Sequence, residues 1–196
     1  MSRPQSSPLP EGDVLIHCGD WSSHSSSHSE GLSFDAWLAS QPHQHILIVR
    51  GNHDPPNATF PLSGAIYATR PQKCEVRGVT FDLVPYFHRG RLGSFKPTAQ
   101  ILVSHEPPHN VLDRCIGGKR AGTHCLRRAV ERAAWSPYVW LCGHIHEAAG
   151  AERVRFGKGA RATVCVNGCN ANPGLAKKLV LGPLVINLQA NQTVMG

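Results

Sequence analysis

The sequence has no long hydrophobic run and only a modest share of charged residues. Its apolar runs are a few residues long, far short of the roughly 20 that a membrane-spanning helix needs, so we expect no membrane partner. The segment 1–10 holds one arginine and no apolar stretch, which is not the pattern of a secretory signal. Apolar residues make up 41% of the chain, which excludes a disordered protein and predicts a folded globular one.

Paired cysteines are also missing. The chain has 7 cysteines, an odd number, and only Cys165 and Cys169 lie near each other in sequence. No second pair accompanies them to complete a zinc ribbon. We therefore expect reduced thiols in an intracellular protein and predict a cytoplasmic location.

The net charge of +7 admits either nucleic acid or a small anionic phosphate ester as partner. The basic residues are scattered, and no aromatic residues alternate with them as they do in single-strand binders. The sequence therefore favours the small ester over nucleic acid. A length of 196 residues fits one domain, which we place at 13–196 after a Ser/Pro-rich flexible leader at 1–12.

Short apolar runs bounded by glycine, proline or polar residues predict the strands. We expect strands at 14–18, 45–50, 101–103 and 138–142, a hairpin at 73–77 and 79–84, and a closing β-rich section with strands at 151–156, 161–167 and 183–188.

Two helices are predicted from apolar periodicity and capping residues. Ser33 is the expected N-cap of the first, whose apolar stripe includes Phe34 and Trp37, and Thr123 is the expected N-cap of the second. The Ser/His tract at 22–29 is predicted to be a mobile loop.

Four of the predicted strands end in a short polar loop. These loops contain Asp20, then Asn52 with His53 and Asp54, then His105, and finally His144 with His146. Ligands bind at the carboxyl ends of strands in α/β proteins, and Asp, Asn and His suit Mn, Fe, Zn or Mg. Together the loops predict a site for one or two divalent metal ions.

The order of these motifs resembles the calcineurin-like metallophosphoesterase superfamily. Within it, the chain is most similar to the small metallophosphoesterase-domain-containing branch, which is akin to class III cyclic-nucleotide phosphodiesterases. The resemblance rests on Leu15-Ile16-His17-Cys18-Gly19-Asp20, on Arg50-Gly51-Asn52-His53-Asp54, on Ser104-His105-Glu106-Pro107-Pro108 with Leu112-Asp113, and on Gly143-His144-Ile145-His146-Glu147.

The resemblance implies an α/β fold, a four-layer αββα sandwich of two mixed sheets flanked by helices. It implies that Asp20 bridges two metals, that Asn52, His105 and His144 complete one site, and that His146 belongs to the other. It further implies that His53 is a second-sphere imidazole that protonates the leaving oxygen or stabilises the phosphoryl transition state. The expected activity is hydrolysis of a phosphodiester or phosphomonoester, such as a cyclic nucleotide, by metal-activated hydroxide.

The chain departs from the family pattern at one point. The family begins with Asp-x-His at the end of its first strand, and no such motif precedes Asp20 here. We therefore expect the first central strand to be missing and the second metal site to be incomplete. Three interpretations follow: a shortened product of an ordinary enzyme, a natural variant that works with one metal, or an inactive relative that binds metal or nucleotide. His17, His24 and His28 are candidate substitute ligands, although a structural role suits His17 and a loop suits the other two.

Two other functions compete with ester hydrolysis. A zinc hydrolase acting on amides is disfavoured because the chain lacks a His-Glu-x-x-His helix: the match at 105–109 contains Pro107 and Pro108, which exclude a helix there. A metal-stabilised nucleotide or nucleic-acid binding protein fits the +7 charge and the incomplete second site.

Overall fold

The apolar runs form strands in two sheets. The computed structural model describes residues 9–23, 28–87, 92–133, 136–157, 161–171 and 178–188. The smaller sheet holds three strands in the order of the chain, and both of its pairings are parallel. Its strands are β1 (Val14–His17), β2 (His45–Val49) and β3 (Ile66–Ala68). Most of the predicted leader and the candidate ligand His24 lie outside the described residues.

The larger sheet has six strands in the order β4-β5-β6-β7-β9-β8. Its four central strands β5, β6, β7 and β9 pair in parallel, while β4 and β8 run antiparallel at the two edges. The strands are β4 (Gln72–Val76), β5 (Val79–Val84), β6 (Ile101–Ser104), β7 (Val139–Cys142), β8 (Gly150–Arg155) and β9 (Ala162–Asn167).

Two helices, α1 (His28–Ala39) and α2 (His124–Arg132), cover the outer faces of the sheets. One hydrophobic cluster joins α1 to the smaller sheet, a second lies between the two sheets, and a third joins the larger sheet to α2. The layers are therefore α, β, β and α, and the predicted four-layer fold is confirmed.

Strand β2 shows how the sequence produces two interior layers. Leu47 and Val49 belong to the cluster between the sheets, whereas Ile46 and Ile48 belong to the cluster beneath α1. Successive side chains of a strand point to opposite faces, so a strand buried on both faces must be apolar at every position. This is why the uninterrupted apolar runs predicted the central strands correctly.

Helix α1 begins five residues before the predicted N-cap Ser33, at His28. Glu30 lies in its first turn and accepts hydrogen bonds from the hydroxyls of Ser22 at 2.8 Å and Ser23 at 2.7 Å. A carboxylate in the first turn also stabilises a helix through its dipole. Ser22 is buried and bonded, so the prediction of a mobile loop is wrong at this position.

An aromatic stack fills the layer beneath α1. The Trp21 ring lies on the Phe34 ring with centroids 5.3 Å apart and planes within 4°, and Phe34 stacks in turn on Trp37 at 5.7 Å. The stack anchors the start of the loop after β1 to the helix, because Trp21 follows Asp20 directly.

The predicted strand at 183–188 is wrong. The structure assigns no strand to residues 178–188, and Leu184, Val185 and Ile186 are exposed there. A strand forms only when a neighbour accepts its hydrogen bonds, and none of the described strands pairs with this segment. Within the described part of the chain, no helix has the length and apolar character needed to span a bilayer.

Candidate metal centre

Three side chains from three separate loops converge at the carboxyl ends of the parallel strands. They are Asp20 after β1, His105 after β6 and His144 after β7, and their ligand atoms all lie within 4.8 Å of one another. His105 is fully buried and Asp20 is 21% exposed at its side chain. Strands of both sheets end at this edge of the sandwich, so Asp20 and His144 meet here although they are 124 positions apart in sequence.

The donor set fits a cation. His105 Nδ1 lies 2.7 Å from the carbonyl oxygen of Cys18, and a carbonyl only accepts, so this nitrogen carries the proton. The lone pair of Nε2 then faces His144 Nδ1 at 3.0 Å and Asp20 Oδ2 at 3.5 Å. Electron-rich atoms gathered around one point are the arrangement that a divalent metal requires, and a carbonyl that fixes the tautomer of the histidine is a common outer partner in such sites.

Asn52 adds a fourth donor to the same point. Its Oδ1 atom lies 3.0 Å from His105 Nε2. An amide oxygen beside two imidazoles and a carboxylate gives a mixed set of oxygen and nitrogen donors, which suits Mn, Fe, Zn or Mg. The structure thus brings together four of the five predicted metal ligands, Asp20, Asn52, His105 and His144.

The loops after β1 and β2 touch so closely that only glycine fits between them. A Cβ atom on Gly51 would lie 2.1 Å from Asp20 Oδ1, and one on Gly19 would lie 2.6 Å from both the Gly51 nitrogen and His105 Nδ1. Asp20 itself has a positive φ of 61°, and His144 has one of 70°. Non-glycine residues in this region of backbone space are uncommon and cost about 1–3 kcal/mol, and such residues cluster at functional sites.

Asp54 holds the loops after β1 and β2 in place, although sequence reasoning gave it no role beyond local charge and loop geometry. Its buried carboxylate accepts hydrogen bonds from the backbone N–H groups of Asp20 at 2.7 Å, Gly51 at 2.7 Å and Ser22 at 3.0 Å. Burial raises the pKa of Asp54, and the three N–H donors act in the opposite direction. Its signal in the sequence was a carboxylate placed directly after the Asn-His pair of the β2 loop.

The imidazoles of the cluster are neutral at pH 7. Burial, with a smaller contribution from neighbouring His105, lowers the pKa of His144 to about 4, although Asp20 raises it. Burial also lowers the pKa of His105. Neutral imidazole is the form that ligates metals. Asn167 fixes the backbone after His144, since its buried side chain donates to the Ile145 carbonyl at 2.8 Å.

The structure places the other two predicted site residues beside the cluster. The backbone N–H of His53 donates to Asp20 Oδ1 at 3.1 Å. His146 begins the 3₁₀ helix His146–Ala148 and lies outside the three-residue cluster. The described residues form no second cluster of three potential ligands, so the residues present do not complete a second metal site, and the role of His146 stays a prediction.

The candidate substitute ligand His17 has a structural role. Its Nδ1 atom accepts the backbone N–H of Gly19 at 3.2 Å, and its ring meets Phe34 edge-on with centroids 5.3 Å apart. Burial lowers the pKa of His17 to about 4. The backbone of His28 begins α1 and does not extend a loop.

Tyr86 is a neighbour of the cluster that sequence reasoning missed. It follows β5, the strand beside β6, and its ring centroid lies 6.0 Å from that of His105 and 6.3 Å from that of His144. The signal was available in the sequence, because Tyr86 stands two residues after an apolar strand in the same way as the metal-ligand candidates.

Comparisons with known proteins give the family. Residues 4–148 match the family model described as calcineurin-like phosphoesterase. The chain is 27% identical to a UPF0046 protein of Caenorhabditis elegans, over 72% of this chain and 59% of that protein. It is also 27% identical to metallophosphoesterase domain-containing protein 1 of Homo sapiens, over 95% of this chain and 68% of that protein.

A third match is to a protein of Emericella nidulans named probable rhamnogalacturonate lyase C. The identity is 28% over 74% of this chain, but only 16% of that protein is covered. The chain therefore spans about three-fifths of the worm protein, and most of the fungal protein lies outside the match.

Proposed function

Because the chain belongs to the calcineurin-like phosphoesterase family, we propose that it hydrolyses a phosphodiester or phosphomonoester with water activated by a bound divalent metal ion. The observation that carries the proposal is the buried His105 Nε2, whose lone pair faces Asp20, Asn52 and His144. When bound, the metal would supply Lewis acidity and an activated water at neutral pH. Manganese is the ion that we propose to test first.

The residues of the chain have distinct tasks in this proposal. Asp20, Asn52, His105 and His144 would hold the ion, and the fixed tautomer of His105 keeps its lone pair available without a proton loss. His53 lies beside the carboxylate of Asp20 and would donate a proton to the leaving oxygen. General acid catalysis of this kind contributes about 10²–10⁴-fold to a rate.

We propose small anionic esters, with cyclic nucleotides and other nucleotides first, as the substrate class. The net charge of +7 suits such a substrate, and neither a membrane nor nucleic acid is needed as partner. We also propose a cytoplasmic setting, because the cysteines are all free thiols and the reducing cytosol keeps thiols in that state.

The test is a metal titration combined with hydrolysis of bis(4-nitrophenyl) phosphate and of 2′,3′-cyclic AMP by the manganese-loaded protein. Asp20→Asn should lower metal affinity and turnover by at least about 100-fold, because loss of an outer partner alone costs 10–100-fold. Asp13→Asn is the matched control, since Asp13 is an exposed carboxylate that pairs with Arg77.

Metal binding by the parent protein without any turnover that depends on Asp20 would contradict the enzyme and favour a metal-stabilised nucleotide-binding protein. This second function is worth testing because the described residues form one three-residue cluster and no second one. Fewer than one metal bound per chain would exclude both.

A further inference from the structure

Tyr86 joins the start of the loop after β2 to two histidines of the candidate site. Its backbone N–H donates to the Arg50 carbonyl at 2.7 Å, which ties it to the start of the loop that carries Asn52 and His53. Its ring meets the His105 ring edge-on and lies tilted by 38° to the His144 ring, with centroids 6.0 and 6.3 Å apart. The residue is therefore fixed by backbone bonding on one side and by ring packing against two ligand histidines on the other.

The Tyr86 hydroxyl has no hydrogen-bond partner among the described residues, and the side chain is only half-buried. Tyr67 provides the contrast within the same chain, because its hydroxyl donates to the Pro55 carbonyl at 2.9 Å. Tyrosine hydroxyls usually find a hydrogen-bond partner when they are buried. A phenol beside the candidate metal centre, with no acceptor in the described part of the chain, can donate a hydrogen bond to a ligand.

We infer that Tyr86 is a substrate-binding residue whose hydroxyl donates a hydrogen bond to a non-bridging oxygen of the phosphate ester. This inference rests on the proposed function, since it assigns the phosphate to the same centre. Phenol is a donor of the right type for an anionic oxygen, and hydrogen bonds to charged acceptors are stronger than those between neutral groups. The contact would add to ester binding and leave the metal ligands unchanged.

The experiment compares Tyr86→Phe with the parent protein, both loaded with manganese. Inorganic phosphate is the probe, and its dissociation constant is measured by calorimetry, with metal affinity measured separately. We expect phosphate binding to weaken about 10-fold, because a hydrogen bond to a charged group is lost, while metal affinity stays the same. Tyr67→Phe is the control: it removes a hydroxyl that already has a protein acceptor, and phosphate affinity should not change.

The KM for bis(4-nitrophenyl) phosphate gives a second readout and should rise in Tyr86→Phe. Unchanged phosphate affinity and KM in this variant would overturn the inference and leave the proposed hydrolysis standing. A parent protein that binds phosphate more tightly than Tyr86→Phe but turns no ester over would support the role of Tyr86 and contradict the hydrolysis. A metal-loaded parent that binds no phosphate would overturn the role of Tyr86.

Discussion

At the scale of single residues, the carboxylate of Asp54 positions the metal-ligand candidate Asp20 through hydrogen bonds to the backbone around it. It fixes the backbone of Asp20 on both sides, through the N–H groups of Asp20 and Ser22, and joins that backbone to Gly51. The site therefore depends on a second carboxylate that sequence position alone identified only as part of a loop. Its hydrogen bond to the Asp20 N–H spans 34 residues of sequence, so the place of Asp54 after the Asn-His pair indicated a loop residue but not this partner.

We expect Asp54→Asn to weaken metal binding by about 10–100-fold, as substitutions of outer partners do. The amide keeps one acceptor but turns an NH₂ group toward backbone N–H donors, so the free energy of unfolding should also fall by about 1–3 kcal/mol. Metal titration and urea unfolding measure the two effects.

Asp35→Asn separates these effects, because Asp35 is also a buried carboxylate and accepts N–H bonds from Leu62 and Ser63, away from the cluster. It should lower stability without changing metal affinity. Equal metal affinity in the Asp54 variant and the parent protein would show that the loop keeps its shape without the carboxylate.

At the scale of elements, the strands were predictable and their partners were not. The runs at 45–50, 101–103 and 138–142 became β2, β6 and β7, because strands covered on both faces must be apolar throughout. The segment 183–188 has the same composition but no strand beside it, which composition cannot reveal. The start of α1 was missed for a similar reason, since its first turn is stabilised by Ser22 and Ser23 from outside the helix.

The convergence of the polar loops was predictable, because parallel strands bring their carboxyl ends to the same edge. The distances between the side chains at that edge were not predictable. Whether Asn52 and His144 reach the same nitrogen of His105 depends on the close approach of two backbones at Gly19 and Gly51. His146 shows the limit of prediction from the motif. The motif placed His146 near His144, but the structure does not include it among the clustered ligand atoms.

Gly51→Ala tests the contact between the loops after β1 and β2. The new methyl group would lie 2.1 Å from Asp20 Oδ1 and 2.3 Å from the Asp20 nitrogen, so one loop must move. We expect the free energy of unfolding to fall by about 1–3 kcal/mol, the usual cost of overpacking, and metal affinity to fall with it. Gly182→Ala is the control, because no atom lies within 4 Å of its new methyl group. A Gly51 variant with parental stability and metal affinity would show that the two loops can move apart without a loss of stability.

At the scale of the whole molecule, buried histidines link stability to pH. The pKa of His17 in the fold is about 4, below its ordinary value of 6.5, chiefly because of burial. The unfolded chain therefore binds the proton more readily, so the contribution of His17 to stability is complete above about pH 6.5 and is lost as the pH falls toward 4. Burial raises the pKa of Glu106 to about 7. Over the same pH range the contribution of Glu106 to stability therefore changes in the opposite direction and falls as the pH rises.

His17→Asn isolates the histidine from that background. Asparagine keeps an acceptor near the Gly19 N–H and does not titrate. Between pH 7 and pH 4, the metal-free parent protein should lose up to about 3 kcal/mol more free energy of unfolding than the variant does, at about 1.4 kcal/mol for each unit of pKa. Urea unfolding in the presence of a chelator at several pH values measures the difference, and parallel curves for the two proteins would contradict the assignment.

The aromatic stack beneath α1 gives the molecule a built-in optical reporter. Trp21 is the residue after Asp20, and its ring is held almost parallel to that of Phe34, at 5.3 Å between centroids. A cation bound by the Asp20 carboxylate should change the environment of the next residue, Trp21, whose indole is packed in the aromatic stack. Tryptophan emission and near-ultraviolet circular dichroism should therefore follow occupancy of the centre without any label, and Trp21→Phe should remove that signal.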